Sequence, residues 1–261
     1  MARAVTVTYK VSPTPAELAA AAAQVLTTHV LEAAHARGIA RIAISGGTTP
    51  KAMFALLADR AQPYFERMPW DKLQLFWVDE RSVPPDSKDS NYGNTRAALL
   101  EQVPLRPEQI HRIEGELEPE VAASRYEAAI RSAFRLEGAE TPVFDLVLLG
   151  MGDDGHTASL FPNTEAIHEL GRIVTANFVP KLNTWRITLT WPVINQGREV
   201  VFLIESSQKA KILREVFLGT YDPEAKPSQL IRPSTGHLTL LLDAAAAALM
   251  PNPSGGFLEL A

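Results

Sequence analysis

The chain has 261 residues, of which 46% are hydrophobic and 21% charged, with a formal net charge of −5, the composition of an ordinary soluble globular protein. It has no cysteine, which excludes disulfides, thiolate metal sites and a cysteine nucleophile and suits the reducing cytoplasm, the expected location. The acidic balance argues against a nucleic-acid partner, and no run reaches the ~18 apolar residues of a membrane span, so no membrane partner is expected either. The opening MARAVTVTYKVSPTP lacks the long apolar core of a signal peptide.

One strand-like segment and one long helix occupy the first 40 residues or so. The helix, Thr14 to Gly38, has a threonine cap, Pro15 at its first position and a terminal glycine. The strand RIAIS (Arg41–Ser45) leads into a second Thr-Pro start, predicting a helix over Thr49–Asp59. LQLFWVD (Leu73–Asp79) reads as the next strand, Pro84–Gly93 as a loop and Pro119–Gly138 as a helix ending in glycine. FDLVLLG (Phe144–Gly150), RITLTW (Arg186–Trp191), EVVFLIE (Glu199–Glu205) and HLTLLLD (His237–Asp243) complete the strands. A helix over Ser207–Gly219 and a loop over Tyr221–Gln229 lie between the last two, and the tail PNPSGGFLELA is expected to be mobile at its glycines. Most of these strands are dense Val, Ile, Leu or Phe runs, as in strands covered on both faces. The alternation predicts one α/β domain over 1–261, a mostly parallel sheet with helices on both faces. Ligands of such sheets bind beyond the carboxyl ends of the strands.

Four post-strand segments therefore carry the argument. Ser45, Gly46, Gly47 and Thr48 make a strand-to-helix turn whose glycines, N–H groups and hydroxyls suit an anion. A plain glycine turn with a threonine cap reads equally well. Asp79, Glu80 and Arg81 sit at the end of an apolar strand, where Asp79 can position a hydroxyl or water and Arg81 can hold a carboxylate, phosphate or oxyanion. The stretch GMGDDGHTASLFP contains G-x-G-x-x-G at Gly150, Gly152 and Gly155. A dinucleotide pyrophosphate there would face Asp153 and Asp154, and the fingerprint comes after the midpoint of the chain, so this reading fits poorly. The alternative is an acid–base site, with His156 free to project from the glycine turn and Asp154 fixing its tautomer. Thr157, Ala158 and Ser159 are expected to open a helical turn. The other histidines, His29, His35, His111, His168 and His237, read as ordinary exposed or satisfied side chains, and no metal-ligand spacing is present. Lys181 and Arg186 flank a strand start, and Lys209 stands in the first turn of a helix, where the dipole disfavours a cation unless an anion offsets it.

Taken together, ISGGTTP, WVDERSVPPDSKDSNYGN, LVLLGMGDDGHTASLFP, PKLNTWRITLTWPVIN and SQKAKIL resemble the 6-phosphogluconolactonases of the glucosamine-6-phosphate isomerase/6-phosphogluconolactonase family. The resemblance runs from about Ser45 to the last strand. It implies a Rossmann-like sheet and hydrolysis of 6-phospho-D-glucono-1,5-lactone to 6-phosphogluconate, with no metal and no nucleotide cofactor. The partner it implies is this small sugar-phosphate lactone; a monomer is expected. It implies His156 as general base with Asp154 as its partner, and Arg81 near the lactone or its product. It also implies Ser45, Gly46, Gly47 and Thr48 as the phosphate loop, with Arg186 and Lys209 as basic residues near the phosphate; the role of Lys181 stays open. The deaminase side of the family follows its GxGxDGH turn with a glutamate-bearing segment, whereas this chain continues TASLFP. A non-catalytic sugar-phosphate sensor would carry a DNA-binding helix-turn-helix before the sheet, and no basic recognition helix is seen.

Overall fold

The computed structural model of the protein describes residues 5–233 and 236–260. The strands are β1 (Val5–Ser12), β2 (Ala40–Ile44), β3 (Leu73–Trp77), β4 (Asp79–Arg81), β5 (Ile110–His111), β6 (Leu146–Leu149), β7 (Val174–Val179), β8 (Thr184–Leu189), β9 (Glu199–Ile204), β10 (His237–Asp243) and β11 (Gly255–Leu260). The α-helices are α1 (Pro15–Arg37), α2 (Thr48–Ala58), α3 (Pro63–Arg67), α4 (Asn91–Thr95), α5 (Pro119–Phe134), α6 (Trp191–Ile194) and α7 (Ala210–Leu218).

Eight strands form one sheet in the order β11-β1-β10-β9-β6-β2-β3-β5. Every described pairing in it is parallel except β1 with β11. The central strands read as continuous apolar runs because helices flank the sheet: β6 and β9 are buried at every position. α1 begins as the sequence predicts, with Thr14 accepting from the Glu17 N–H and Gly38 closing it at φ 75°. From β2 the chain moves one way to β3, and from β6 it moves the other way to β9. The carboxyl ends of β2 and β6 thus flank a topological switch point, where open α/β sheets bind their ligands.

Several expectations change. RITLTW does not join the main sheet. It lies in β8, the centre of a separate antiparallel sheet ordered β4-β8-β7. Only its last three residues are buried, the pattern of an end-covered strand and not of a fully buried one. LQLFWVD is not one strand either: it breaks at Val78, and Asp79–Arg81 crosses to the small sheet. The tail is ordered as β11, paired antiparallel with β1, with Leu258 and Leu260 buried. Gly255 at φ 105° turns the chain into that strand, so the glycine serves a bend and not mobility. Ala261 lies outside the described residues. α5 stops at Phe134, because Arg135 itself takes the left-handed cap at φ 55°, before the glycine expected to end it. No described helix is long and apolar enough to cross a membrane.

Candidate active site

Three segments converge at the switch point. After β2, Ser45 and Gly46 lead to Gly47, which caps α2 at φ 110° with no side-chain hydrogen bond. The first N–H groups of α2 are therefore not taken up by a capping side chain. Ser45 Oγ is buried and has no protein partner. Thr49, expected as the helix start, lies inside it and donates to Glu205 Oε1 at 3.0 Å, which brings a carboxylate beside the turn.

After β3, Asp79 and Glu80 are buried. Asp79 Oδ2 accepts from Ser159 Oγ at 2.7 Å, and Oδ1 accepts from Asn91 Nδ2 at 3.3 Å. Glu80 accepts from the N–H groups of Arg81, Asn91 and Tyr92 and from Ser90 Oγ, at 2.7 to 3.0 Å. It staples the loop predicted over Pro84–Gly93 onto the strand end, and that loop winds into α4 from Asn91. Burial still pushes the Glu80 carboxyl up, against these bonds. Asn91, which the sequence did not single out, packs against Gly46 so closely that a Cβ there would collide with its side chain. Arg81 Nη1 donates to the Asp89 carbonyl at 2.8 Å.

After β6, the glycine turn closes on itself: Gly152 N–H donates to the His156 carbonyl at 2.8 Å and Gly155 N–H to the Gly152 carbonyl at 3.1 Å. His156 Nδ1 lies 2.6 Å from Asp154 Oδ1. Burial opposes ionisation of Asp154, but the hydrogen bonds from His156 and Lys181 outweigh it and hold the carboxyl below its usual range. An ionised carboxylate only accepts, so Nδ1 carries the proton and Nε2 is the basic nitrogen. The ring stacks on Phe161 at 4.0 Å and 23°. It does not project freely, as the sequence suggested; a carboxylate, a phenyl ring and the Gly152 backbone hold it. Thr157–Ser159 form no helical turn. A bridge joins Thr157 to Leu160 around Ala158 at φ 48°, and this turn aims Ser159 at Asp79.

The remaining basic groups arrive from two directions. Lys209 lies at the end of a short 3-10 turn, Ser207–Lys209, and pairs with Asp153. Lys181 Nζ lies 2.9 Å from Asp154 Oδ2, which gives it a place the sequence left open. Arg186 stands directly across the small sheet from Arg81.

A cleft of about 280 Å³ joins the Ser45–Thr48 turn to Gly152, His156, Arg81, Glu205 and Lys209. A second lobe of about 240 Å³ adjoins it at His156, lined also by Arg81, Asp153, Asp154, Phe161, Lys181 and Arg186. Asp79, Arg81, His156 and Ala158 line both. The turn, the histidine and Lys209 thus share one lobe, whereas Arg186 lines only the other. The arrangement supplies a carboxylate-oriented imidazole in one cleft with an uncapped helix start and Arg81, a set suited to proton transfer beside an anionic ligand.

The protein is similar to known proteins along most of its length. A model of the family described as glucosamine-6-phosphate isomerases/6-phosphogluconolactonase matches residues 13–240. The 6-phosphogluconolactonase of Nostoc sp. is 40% identical over 242 residues, 92% of this chain and 97% of the relative. That of Synechocystis sp. is 42% identical over 219 residues, 84% of this chain and 88% of the relative. The solved 6-phosphogluconolactonase from Trypanosoma cruzi superposes with a TM-score of 0.81 at 32% identity, covering 94% of this chain and 97% of its own. The chain belongs to the glucosamine-6-phosphate isomerase/6-phosphogluconolactonase family.

Proposed function

We propose that the chain hydrolyses 6-phospho-D-glucono-1,5-lactone to 6-phospho-D-gluconate, the second step of the oxidative pentose phosphate pathway. The observation that carries this reading is the His156–Asp154 pair, 2.6 Å apart, in one cleft with the Ser45–Thr48 turn. The names of the relatives support the substrate class.

In this reading the phosphate lies against the turn, with the Ser45 and Thr48 hydroxyls, the N–H groups at the start of α2 and Lys209 as donors. That remote charge orients the ring so that C1 faces His156. His156 Nε2 takes a proton from water as its oxygen adds to C1. The carbonyl oxygen becomes an oxyanion, and Arg81 stabilises it. As the C1–O5 bond breaks, the proton passes to O5, and the new carboxylic acid ionises. Asp154 holds the imidazole in the required tautomer and balances the imidazolium. Asp79 anchors the loops beneath the substrate through Ser159 and Asn91. No step uses a metal or nucleotide. The groups named in these steps all lie on this chain, and we propose that it acts as a single-domain monomer in the cytoplasm.

The test is His156→Ala, assayed on freshly made lactone and corrected for spontaneous opening. Turnover should fall by about 10²–10⁴-fold, the usual value of general-base help, with phosphate-ligand binding kept. Hydrolysis at the wild-type rate would remove the histidine from the mechanism. A deaminase reading needs a carboxylate after the turn that TASLFP does not supply, and ammonia release from glucosamine 6-phosphate would overturn the lactonase reading.

A further inference from the structure

We propose that Glu205 is a specificity-determining residue, which accepts a hydrogen bond from the C4 hydroxyl of the bound sugar. The inference rests on the lactonase reading, with the phosphate at the Ser45–Thr48 turn.

Glu205 directly follows β9, and its carboxylate lies at the turn end of the cleft. Oε1 accepts from Thr49 Oγ at 3.0 Å, one residue beyond the turn, and the side chain lines the same lobe as His156 and Lys209. The backbone is bent to put it there. Ser206, the next residue, takes φ 87°, a conformation unfavourable for a residue with a side chain. Asp243, only 3% exposed, holds that bend: Oδ1 and Oδ2 accept from the Ser206 N–H at 3.1 and 3.2 Å, and Oδ1 accepts also from the Ala246 N–H at 2.7 Å. Ser206 Oγ accepts from the Gln208 N–H at 3.3 Å and opens the short turn that ends in Lys209. The bend thus delivers an anion and a cation to one lobe.

The cation suits a phosphate; the anion beside it is repelled by one unless a ligand donor meets it. Two carboxylates line this lobe among the described residues, Asp79 and Glu205. Both oxygens of Asp79 are taken, by Ser159 and Asn91, whereas Glu205 Oε2 has no protein partner among the described residues. The lactone brings hydroxyls at C2, C3 and C4, each a donor that loses water on binding and needs an acceptor. With the phosphate of C6 at the turn and C1 at His156, the hydroxyl nearest the phosphate arm is that of C4, because C5 carries the ring oxygen and C2 adjoins C1. A sugar without this hydroxyl leaves the carboxylate unpaired beside a dianion, and a site built to bond a hydroxyl rejects the analogue that lacks it.

The experiment is calorimetric binding of two cyclic ligands that do not hydrolyse, 1,5-anhydroglucitol 6-phosphate and its 4-deoxy analogue, with inorganic phosphate as a third ligand. The wild-type protein should bind the 4-deoxy ligand about 10–100-fold more weakly, the range of one hydrogen bond to a charged group. Glu205→Ala should bring that ratio to within about twofold, and Glu205→Gln, which keeps an acceptor without the charge, should leave it between. Inorganic phosphate should bind both variants at least as tightly as the wild type, since a negative charge is gone. A ratio near one in the wild type, or an undiminished ratio in Glu205→Ala, overturns the proposal. Loss of phosphate binding in both variants also overturns it, and would make Glu205 a brace for Thr49. Absence of lactone hydrolysis by the wild-type protein would instead sink the lactonase reading itself, whatever the ratio.

Discussion

Ser159 Oγ donates a 2.7 Å hydrogen bond to Asp79 Oδ2, joining the segment after β6 to the segment after β3 across 80 residues of sequence. Asn91 Nδ2 reaches the other carboxylate oxygen and the same side chain abuts Gly46, so the Ser45–Thr48 turn belongs to the same assembly. Both oxygens of Asp79 are thus engaged by protein donors before any ligand enters. Asp79→Ala strands two buried donors, each costing ~1–3 kcal/mol. We expect a lowered melting temperature and a larger fall in kcat than a rise in KM, read by thermal denaturation and steady-state assay. A variant with wild-type stability and only a raised KM would show that Asp79 contacts substrate without organising the loops.

Gly152 lies against the imidazole. A Cβ there would fall inside the space of the His156 ring, while the ring is already fixed between Asp154 and Phe161. Gly152→Ala must therefore displace the histidine, the surface turn absorbing the change. A misplacement of ~1 Å can cost about 10²-fold in rate. The expected result is a kcat reduced by about that factor, with the melting temperature nearly unchanged. Full activity in this variant would mean that the imidazole position does not govern turnover.

The Asp154 carboxyl gives a pH signature. Its folded pKa lies below the unfolded value of about 3.9, because the His156 and Lys181 bonds outweigh burial. Below the folded value both states are protonated, and above about 4 both are ionised; between them the unfolded chain holds more protons. The stabilisation is therefore complete above pH ~4 and is lost as pH falls through that window toward the folded value. Wild-type protein should exceed Asp154→Asn in stability at pH 6, and the gap should close under acid, as followed by urea titrations. A gap independent of pH would contradict the assignment. The same variant should lose up to about 10⁴ in kcat at neutral pH, since an amide does not enforce the tautomer.

The main sheet was readable because its strands are dense apolar runs and its long helix has standard caps. The His156–Asp154 pair was readable because both residues share one short turn. The second sheet was not. β7 carries Thr175 and Asn177 at buried positions, where Asn177 donates to the Ser159 carbonyl and to Thr164, so tertiary hydrogen bonds replace the apolar signal of a strand. The juxtaposition of Arg81 with Arg186 depends on the register of two strands far apart in sequence. The tail reads as glycine-rich until its alternate Leu258 and Leu260 find β1. Asn91 gave no signal because its role depends on touching Gly46 and Asp79 at once.

Asp153 and Lys209 provide a last test of where the phosphate sits. Asp153 is 74% exposed and pairs with Lys209, which borders the turn lobe. In the free protein the aspartate competes for the cation that the proposed phosphate site needs, and Glu205 adds a second negative charge beside the turn. Removing one negative charge while keeping its shape should strengthen binding of a dianion, modestly because solvent and salt screen an exposed charge. Asp153→Asn should therefore lower the KM for the lactone and the inhibition constant of inorganic phosphate together, by roughly two- to fivefold at low salt, with kcat little changed. The effect should shrink in 0.5 M salt. If both constants rise, or only kcat changes, Lys209 does not meet the phosphate, and the anion must be sought in the lobe that Arg186 lines.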